Sequence, residues 1–182
     1  GYGIAFMLRR RSDWGGQDWR DVMSGLDTLA RRGLVDPRRL GVYGHSYGGY
    51  LSAWAITQTD RFDAAMVSAG AVDLGALYGQ SDTHRYRAFE FEGTPWETPE
   101  NWRRSSPITY IANVKTPTIV FAGEEDRRVP FPQGQQLYQA LAARGVQTEF
   151  VHYPREPHGY REYHHQWDRW TRTLGWFDRW VR

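Results

Sequence analysis

The sequence contains no cysteine and no long apolar run. Without cysteine the chain forms no disulfide, offers no thiolate nucleophile and cannot hold a metal through sulfur. No stretch of about 18 or more consecutive apolar residues occurs, which excludes an ordinary transmembrane helix. No secretory apolar segment opens the chain, which starts at Gly1 instead of Met and so leaves room for a targeting segment upstream. We therefore expect neither sulfur chemistry nor a membrane partner.

Lysine is almost absent as well. Lys115 is the only lysine among 23 Lys and Arg residues, and the net charge is only +2. The longest basic run, Arg9 to Arg11, lacks the interleaved aromatic side chains that a nucleic-acid groove requires. We therefore interpret the run as a solvated surface and expect no nucleic-acid partner.

Aromatic residues and apolar runs are abundant. The 182 residues are 40% hydrophobic and include nine Trp and eleven Tyr, enough to bury a sizeable core. We therefore expect one domain over residues 1–182. Short apolar runs predict four strands, at Leu40–Tyr43, Ala64–Ser68, Thr118–Ala122 and Glu149–Tyr153.

Helical patterns alternate with these strands. They predict helices over Asp18–Arg32, Tyr47–Gln58, Phe131–Arg144 and Tyr160–Val181, and short helical pieces between Leu74 and Val114. Such alternation is typical of an α/β protein, with a parallel sheet and helices on both of its faces. Because ligands bind these sheets beyond the carboxyl ends of the strands, we expect the functional residues just after each strand.

The stretch GHSYG at residues 44–48 matches the motif G-x-S-x-G between a predicted strand and a predicted helix. This is the context of a nucleophile elbow, a sharp turn that lifts the serine hydroxyl above the sheet. The turn brings the neighbours of Ser46 close together, so we expect side chains at Gly44 and Gly48 to clash. The Tyr47 amide, at the start of the helix, would face a developing oxyanion.

A serine hydroxyl is a weak nucleophile without a base, so Ser46 needs partners. In hydrolases with this elbow, an acid and then a histidine follow later in the chain. Glu124, Glu125 and Asp126 follow the third predicted strand, and Asp73 follows the second. Both positions lie at the correct end of the sheet, so chemistry alone leaves the acid open.

Of the six histidines, His158 is the favoured base, because it follows the fourth strand in a loop between Pro157 and Gly159. His45 would have to fold back over the elbow to act as the base of its own neighbour. The other histidines are interpreted as packed, irregular-region or surface residues: His84, His152, His164 and His165. No zinc-type spacing among them has a convincing carboxylate partner, so we expect no metal.

Five stretches extend in order over nearly the whole chain: GYG at Gly1, DWGGQDWRDV, VDPRRLGVYGHSYGGY, SPITYIANVKTPTIVFAGEEDRRVP and EFVHYPREPHGY. Together they resemble the catalytic domain of the prolyl oligopeptidase family of serine peptidases, which includes dipeptidyl peptidases and acylaminoacyl hydrolases. The resemblance implies an α/β-hydrolase fold and hydrolysis of short peptides through an acyl-enzyme. It implies no metal and no cofactor.

The resemblance also implies roles for individual residues. Ser46 would be the nucleophile, Asp126 the acid and His158 the base. The match of GEEDRRVP to the acid loop of the family favours Asp126 over Asp73.

Two further residues are implied to contact the substrate. Tyr47 would supply one amide of the oxyanion hole. Tyr78 lies in a stretch that resembles the lining of the family's primary specificity pocket, with ordinary packing as the alternative for this side chain.

The sequence also departs from the family pattern. Family members carry an N-terminal β-propeller, additional strands and a loop that gives a second oxyanion donor, and none of these is present in this sequence. We therefore expect a C-terminal portion of a longer protein, with the strand at Leu40–Tyr43 as an edge that favours aggregation or pairing with another copy. One missing donor would cost roughly 10²–10³ in rate.

Three functions remain open at this point. The chain is expected to be a serine peptidase, with a carboxylesterase or lipase of the same fold as the first alternative. The second alternative is a non-catalytic fragment that folds only against a partner or its missing half. We expect a cytoplasmic protein, although no feature of the sequence specifies the compartment.

Overall fold

The computed structural model describes residues 2–9 and 11–182. Gly1, the start of the first family motif, and Arg10, in the arginine run, lie outside the described residues. The strands are β1 (Gly41–His45), β2 (Ala64–Ser68), β3 (Thr118–Gly123) and β4 (Thr148–Tyr153). The four predicted strands are therefore confirmed, with small shifts at their ends.

Eight α-helices and one 3₁₀ helix complete the described part of the chain. They are α1 (Ile4–Leu8), α2 (Gln17–Arg31), α3 (Tyr47–Gln58), α4 (Leu74–Gln80), α5 (His84–Glu90), α6 (Pro99–Arg104), the 3₁₀ helix Pro107–Asn113, α7 (Phe131–Ala143) and α8 (Tyr163–Trp180). The long helices agree with prediction except that α8 begins later, and α1 was not predicted. No helix within residues 2–9 and 11–182 has the length and apolar character to cross a bilayer.

The strands form one parallel sheet in the order β1-β2-β3-β4. His45, the last residue of β1, is level with Ser68, the last residue of β2. Ser68 is in turn level with Phe121 of β3, and Gly123 is level with Tyr153 at the end of β4. The carboxyl ends of the strands therefore lie along one edge of the sheet, as the sequence predicted.

Helices cover both faces of the sheet, because the central strands are apolar on both sides. Ala65 and Val67 of β2 pack in a cluster with residues of α3 and α7. Ala64 and Met66 point to the opposite face, where they pack with Trp176 of α8. The predicted arrangement, a parallel sheet between helices, is confirmed.

The short helices α4 to α6 pack on α3 through an aromatic cluster. Trp102 of α6 is buried and lies against Phe91, with ring centroids 4.4 Å apart. Trp14 contacts the rings of Phe91 and Tyr50, at 5.5 and 5.0 Å. Because Tyr50 lies one helical turn after Ser46, this cluster forms a wall beside the end of β1.

An exposed apolar surface runs along the free side of β1. Within the described residues β1 pairs with β2 alone, so its other edge is open. Tyr43 of β1 is 61% exposed, and its ring contacts Trp170 and Phe177 of α8. Further exposed apolar residues follow one face of α8: Tyr163, Trp167 and Leu174. The expectation that β1 forms an edge strand is therefore confirmed.

We expect the 182-residue chain to self-associate through this edge. Tyr43→Lys should weaken the association at least about tenfold, because a charged side chain on an edge strand opposes strand pairing. Sedimentation velocity over a range of protein concentrations measures the effect. Trp96→Lys, at an exposed position between α5 and α6, is the control that should leave the association unchanged. A chain that stays monomeric throughout, or an equal effect of both variants, would contradict this prediction.

Candidate active site

The turn between β1 and α3 has a strained backbone at its serine. Ser46 has φ +61° and ψ −120°, a left-handed conformation that costs about 1–3 kcal/mol for a residue other than glycine. Its amide donates to the carbonyl of Ser68 at 2.9 Å, and its own carbonyl accepts from the Tyr50 amide at 2.9 Å. The end of β2 and the first turn of α3 therefore hold the serine in place.

The glycines around this turn have different roles. A Cβ at Gly44 would overlap the backbone of Gly48, and a Cβ at Gly49 would overlap the carbonyl of Ser68. At Gly48 itself, a Cβ would meet no heavy atom within 4 Å. The prediction is confirmed for Gly44 and wrong for Gly48, whose backbone occupies the space beside Gly44 while its own Cβ direction is open.

Three side chains from different loops meet at this turn. Nε2 of His158 lies 2.7 Å from Oγ of Ser46, and Nδ1 of His158 lies 2.8 Å from Oδ2 of Asp126. The side chain of Asp126 is 1% exposed, and its Oδ1 accepts from the amides of Arg128 and Val129 at 2.8 and 2.9 Å. Such an arrangement can remove a proton from the serine hydroxyl and stabilise the resulting imidazolium.

The loop that carries His158 is held by a buried carboxylate that sequence reasoning missed. Glu156 is 1% exposed and accepts from the amides of Arg161 and Glu162 at 2.6 and 2.9 Å, and it bonds Nδ1 of His165 at 2.8 Å. Burial alone would raise the pKa of Glu156, but these hydrogen bonds outweigh it and the pKa is lowered. The charged carboxylate therefore joins the two ends of the short loop that contains His158.

Tyr47 is the first residue of α3, so its amide lies at the positive end of the helix, directly after Ser46. The Tyr47 hydroxyl donates to the carboxylate of Asp18 in α2. The position fits an oxyanion donor, a role that stays a prediction.

The other candidate acids and one candidate histidine lie elsewhere. Asp73 caps α4 by accepting from the Ala76 amide at 3.0 Å, and it also accepts from the side chain of Gln136 at 3.2 Å. Glu124 bonds Nδ1 of His152 at 2.7 Å on the exposed surface. None of these groups contacts the ring of His158.

The histidines of α8 differ from the sequence prediction. His164 is exposed as expected, but His165 is largely buried, because its Nδ1 is bonded to the buried carboxylate of Glu156. A carboxylate does lie beside both, since ligand atoms of Glu162, His164 and His165 fall within 4.8 Å of one another. Arg155 donates two hydrogen bonds to Glu162, so the charge of that carboxylate is already paired.

A cavity of about 170 Å³ opens beside Ser46. The residues that line it come from five segments: Trp14, Ser46, Tyr47, Tyr50, Ala71, Arg87 and Val129. The guanidinium of Arg87 lies 4.5 Å over the ring of Trp14 and donates to Glu90 at 2.7 Å. The cavity is therefore aromatic, with a charge-paired guanidinium in its wall. Trp14 lies in the family stretch DWGGQDWRDV, but the sequence did not indicate what it does. No sequence pattern indicated that Arg87 would line this cavity.

Tyr78 is not among the residues that line this cavity. Its ring packs against Trp96 at 5.4 Å, Trp102 at 5.6 Å and His84 at 5.9 Å. A role of Tyr78 in substrate binding stays a prediction.

Comparison with known proteins finds a matching family model and several similar peptidases. The model of the prolyl oligopeptidase family matches residues 1–182. The chain is 37% identical over 183 residues to the uncharacterised peptidase YuxL of Bacillus subtilis (strain 168), covering 98% of this chain and 28% of that protein. It is 31% identical over 185 residues to the acylamino-acid-releasing enzyme of Rattus norvegicus, covering 97% and 25%.

A solved structure agrees with the sequence relatives. The acylaminoacyl peptidase of Pyrococcus horikoshii superposes with a TM-score of 0.94 at 30% identity, over 100% of this chain and 30% of that one. The chain therefore spans less than a third of the length of these proteins. The match confirms the α/β-hydrolase fold inferred from the sequence.

The two glycines of the elbow motif provide a matched pair of variants. Gly44→Ala should lower the free energy of unfolding by about 1–3 kcal/mol, because its Cβ overlaps the Gly48 backbone. Gly48→Ala should be neutral or stabilising by up to about 1 kcal/mol, because alanine favours a helix and meets open space. Urea denaturation followed by circular dichroism measures both changes. Equal losses of stability in the two variants would refute this account of the turn.

Proposed function

The chain belongs to the prolyl oligopeptidase family, and from that premise we propose that it is the catalytic portion of a serine peptidase that hydrolyses short peptides through an acyl-enzyme. One observation carries the proposal. His158 lies in hydrogen-bond contact with the hydroxyl of Ser46 on one side and the buried carboxylate of Asp126 on the other. In this arrangement the three residues form a nucleophile, a base and an acid.

In the proposed reaction, Oγ of Ser46 attacks the carbonyl carbon of the substrate while Nε2 of His158 takes the hydroxyl proton. Asp126 accepts from Nδ1–H of His158, which keeps the ring in the required tautomer and stabilises the imidazolium. His158 then gives the proton to the leaving amine. Water, activated by the same ring, hydrolyses the acyl-enzyme and restores Ser46.

Charge develops on the carbonyl oxygen during the attack, and we assign the Tyr47 amide as one donor to it. The amide follows Ser46 directly and lies at the positive end of α3. A donor of this kind contributes roughly 10²–10³ in rate. The turn at Ser46 therefore serves two purposes in the proposal, since it presents the hydroxyl and aims the next amide.

The substrate class follows by analogy with the relatives. The rat relative is named an acylamino-acid-releasing enzyme and the Pyrococcus horikoshii structure an acylaminoacyl peptidase. We propose that this chain acts likewise on short peptides with an acylated first residue. Because Ser46 itself lines the 170 Å³ cavity, the side chain next to the attacked carbonyl is the one that would enter it.

Fluorophosphonate labelling tests the nucleophile. Ser46→Ala should abolish labelling, because no other described serine contacts His158. Asp126→Asn should slow labelling by roughly 10⁴, since the ring would lose the acceptor that sets its tautomer. Ser24→Ala, an exposed position on α2, is the matched control and should label at the wild-type rate. Persistent labelling of Ser46→Ala would move the nucleophile elsewhere.

Relative turnover separates the proposed peptidase from its alternatives. The same protein is assayed with N-acetyl-peptide anilides and with p-nitrophenyl esters, and cleavage of the anilides is expected. Ester turnover without anilide cleavage would indicate a carboxylesterase or lipase. A chain that does not melt cooperatively by itself, and that neither labels nor turns over either substrate, would indicate the non-catalytic fragment that folds only against a partner or its missing half.

A further inference from the structure

The histidine that precedes Ser46 lies against the histidine that contacts it. The ring centroids of His45 and His158 are 5.0 Å apart, with the planes inclined by 43°. Hydrogen bonds at Nδ1 and Nε2 hold His158 at two points, but the ring can still tilt about the line between them. A side chain packed against the ring opposes that tilt, and the ring of His45 lies at the distance of such a contact.

His45 is itself anchored by groups on two other elements. Its Nδ1 is hydrogen-bonded to Oγ of Ser68 at 3.0 Å, and Ser68, at the end of β2, is fully buried. Oγ of Ser68 lies 3.3 Å from the hydroxyl of Tyr160, whose ring also contacts the ring of His45 at 5.8 Å. The guanidinium of Arg169 on α8 lies 4.9 Å over the ring of Tyr160. This series of contacts gives His45 a fixed orientation.

The groups that face His45 keep it uncharged. Burial lowers the pKa of His45 below the ordinary 6.5, and the positive charges of His158 and Arg169 lower it further. A hydrogen bond to the backbone of His158 and the charge of Asp126 have smaller, opposite effects on this pKa. Burial raises the pKa of Tyr160 to about 12, so that neighbour is a neutral phenol. A neutral ring beside His158 does not oppose the imidazolium that forms in the reaction.

We infer that His45 is a positioning residue: its ring, anchored through Ser68 and Tyr160, keeps the ring of His158 aligned between Ser46 and Asp126. The effect on rate rests on the proposed function, whereas the effect on the orientation of His158 does not. Sequence reasoning weighed His45 only as a base for its own neighbour. In the structure the contact with Oγ of Ser46 is made by Nε2 of His158. His45 acts on the reaction through His158, without touching the substrate.

The contact between His45 and His158 should make the rate depend on pH in two ways. Below the ordinary histidine pKa of 6.5, protonation of His45 places a second cation beside His158. Protonation of His158 removes the base, and protonation of His45 destabilises the imidazolium that His158 must form, so both oppose the reaction. The rate of the wild-type protein should therefore fall more steeply towards acid than the rate of a variant with an uncharged ring at this position.

Three variants separate the ring of His45 from its charge. His45→Ala removes the ring, His45→Phe keeps a ring without a titratable group, and His84→Ala is an exposed control on α5. Imidazole ¹H–¹⁵N spectra report the tautomer of His158 and its hydrogen bond to Asp126. We expect the His158 signal to broaden or disappear in His45→Ala and to persist in the other two.

Fluorophosphonate labelling rates of the same variants supply the second readout. We expect a loss of roughly tenfold to 10² for His45→Ala, since small misplacements of a base have effects of this size. His45→Phe should stay within about threefold of the wild type at neutral pH and lose the steeper acid dependence. His84→Ala should match the wild type throughout.

The outcomes distinguish this inference from the proposed function. Wild-type protein that fails to label refutes the proposed function, and the His158 spectra still decide the inference. An unchanged His158 signal in His45→Ala overturns the inference, as does loss of the signal in His45→Phe. Should His45→Ala fail to fold, as shown by its thermal melt, the spectrum and acid dependence of His45→Phe against wild type decide the matter.

Discussion

The hydrogen bond from the Ser46 amide to the Ser68 carbonyl determines how the rest of the site is built. It ties the left-handed turn after β1 to the end of β2, and it requires α3 to approach so closely that Gly49 has no room for a Cβ. The hydroxyl of Ser46 then faces His158, and the Tyr47 amide lies at the start of α3. Oγ of Ser68 in turn bonds His45, so one residue of β2 supports both sides of the turn.

The remaining parts of the site arrive from loops that follow β3 and β4. These strands are adjacent and parallel, so their carboxyl ends bring Asp126 and His158 together although 32 residues separate them in the sequence (158 − 126). Each loop carries its own clamp. Backbone amides fix the carboxylate of Asp126, and Glu156 fixes the loop of His158 by accepting from amides that follow it. The geometry thus depends mainly on backbone hydrogen bonds, which side-chain patterns do not reveal.

The chain combines the hydrogen bonds that join Ser46, His158 and Asp126 with an open sheet edge. The loops after β1, β3 and β4 are all present and meet at the site, whereas β1 leaves an edge with exposed Tyr43 and an apolar face of α8 beside it. The relatives YuxL and the rat enzyme are much longer, with this chain covering 28% and 25% of them. The reactivity of Ser46 and the open edge of β1 are therefore separate properties of the chain, since the site and the edge involve different residues.

The sequence by itself determined the sheet, the elbow and the three side chains at the site. Alternating strands and helices imply aligned strand ends. The motif G-x-S-x-G between a strand and a helix marks Ser46. The family motifs in the loops after β3 and β4 then sufficed to select Asp126 and His158. Only the tertiary structure decided the contact of His45 with His158, the clamp at Glu156, the place of Arg87 in the cavity wall and the open space at Gly48. These depend on distances between segments far apart in the chain, and neither periodicity nor motif spacing encodes such distances.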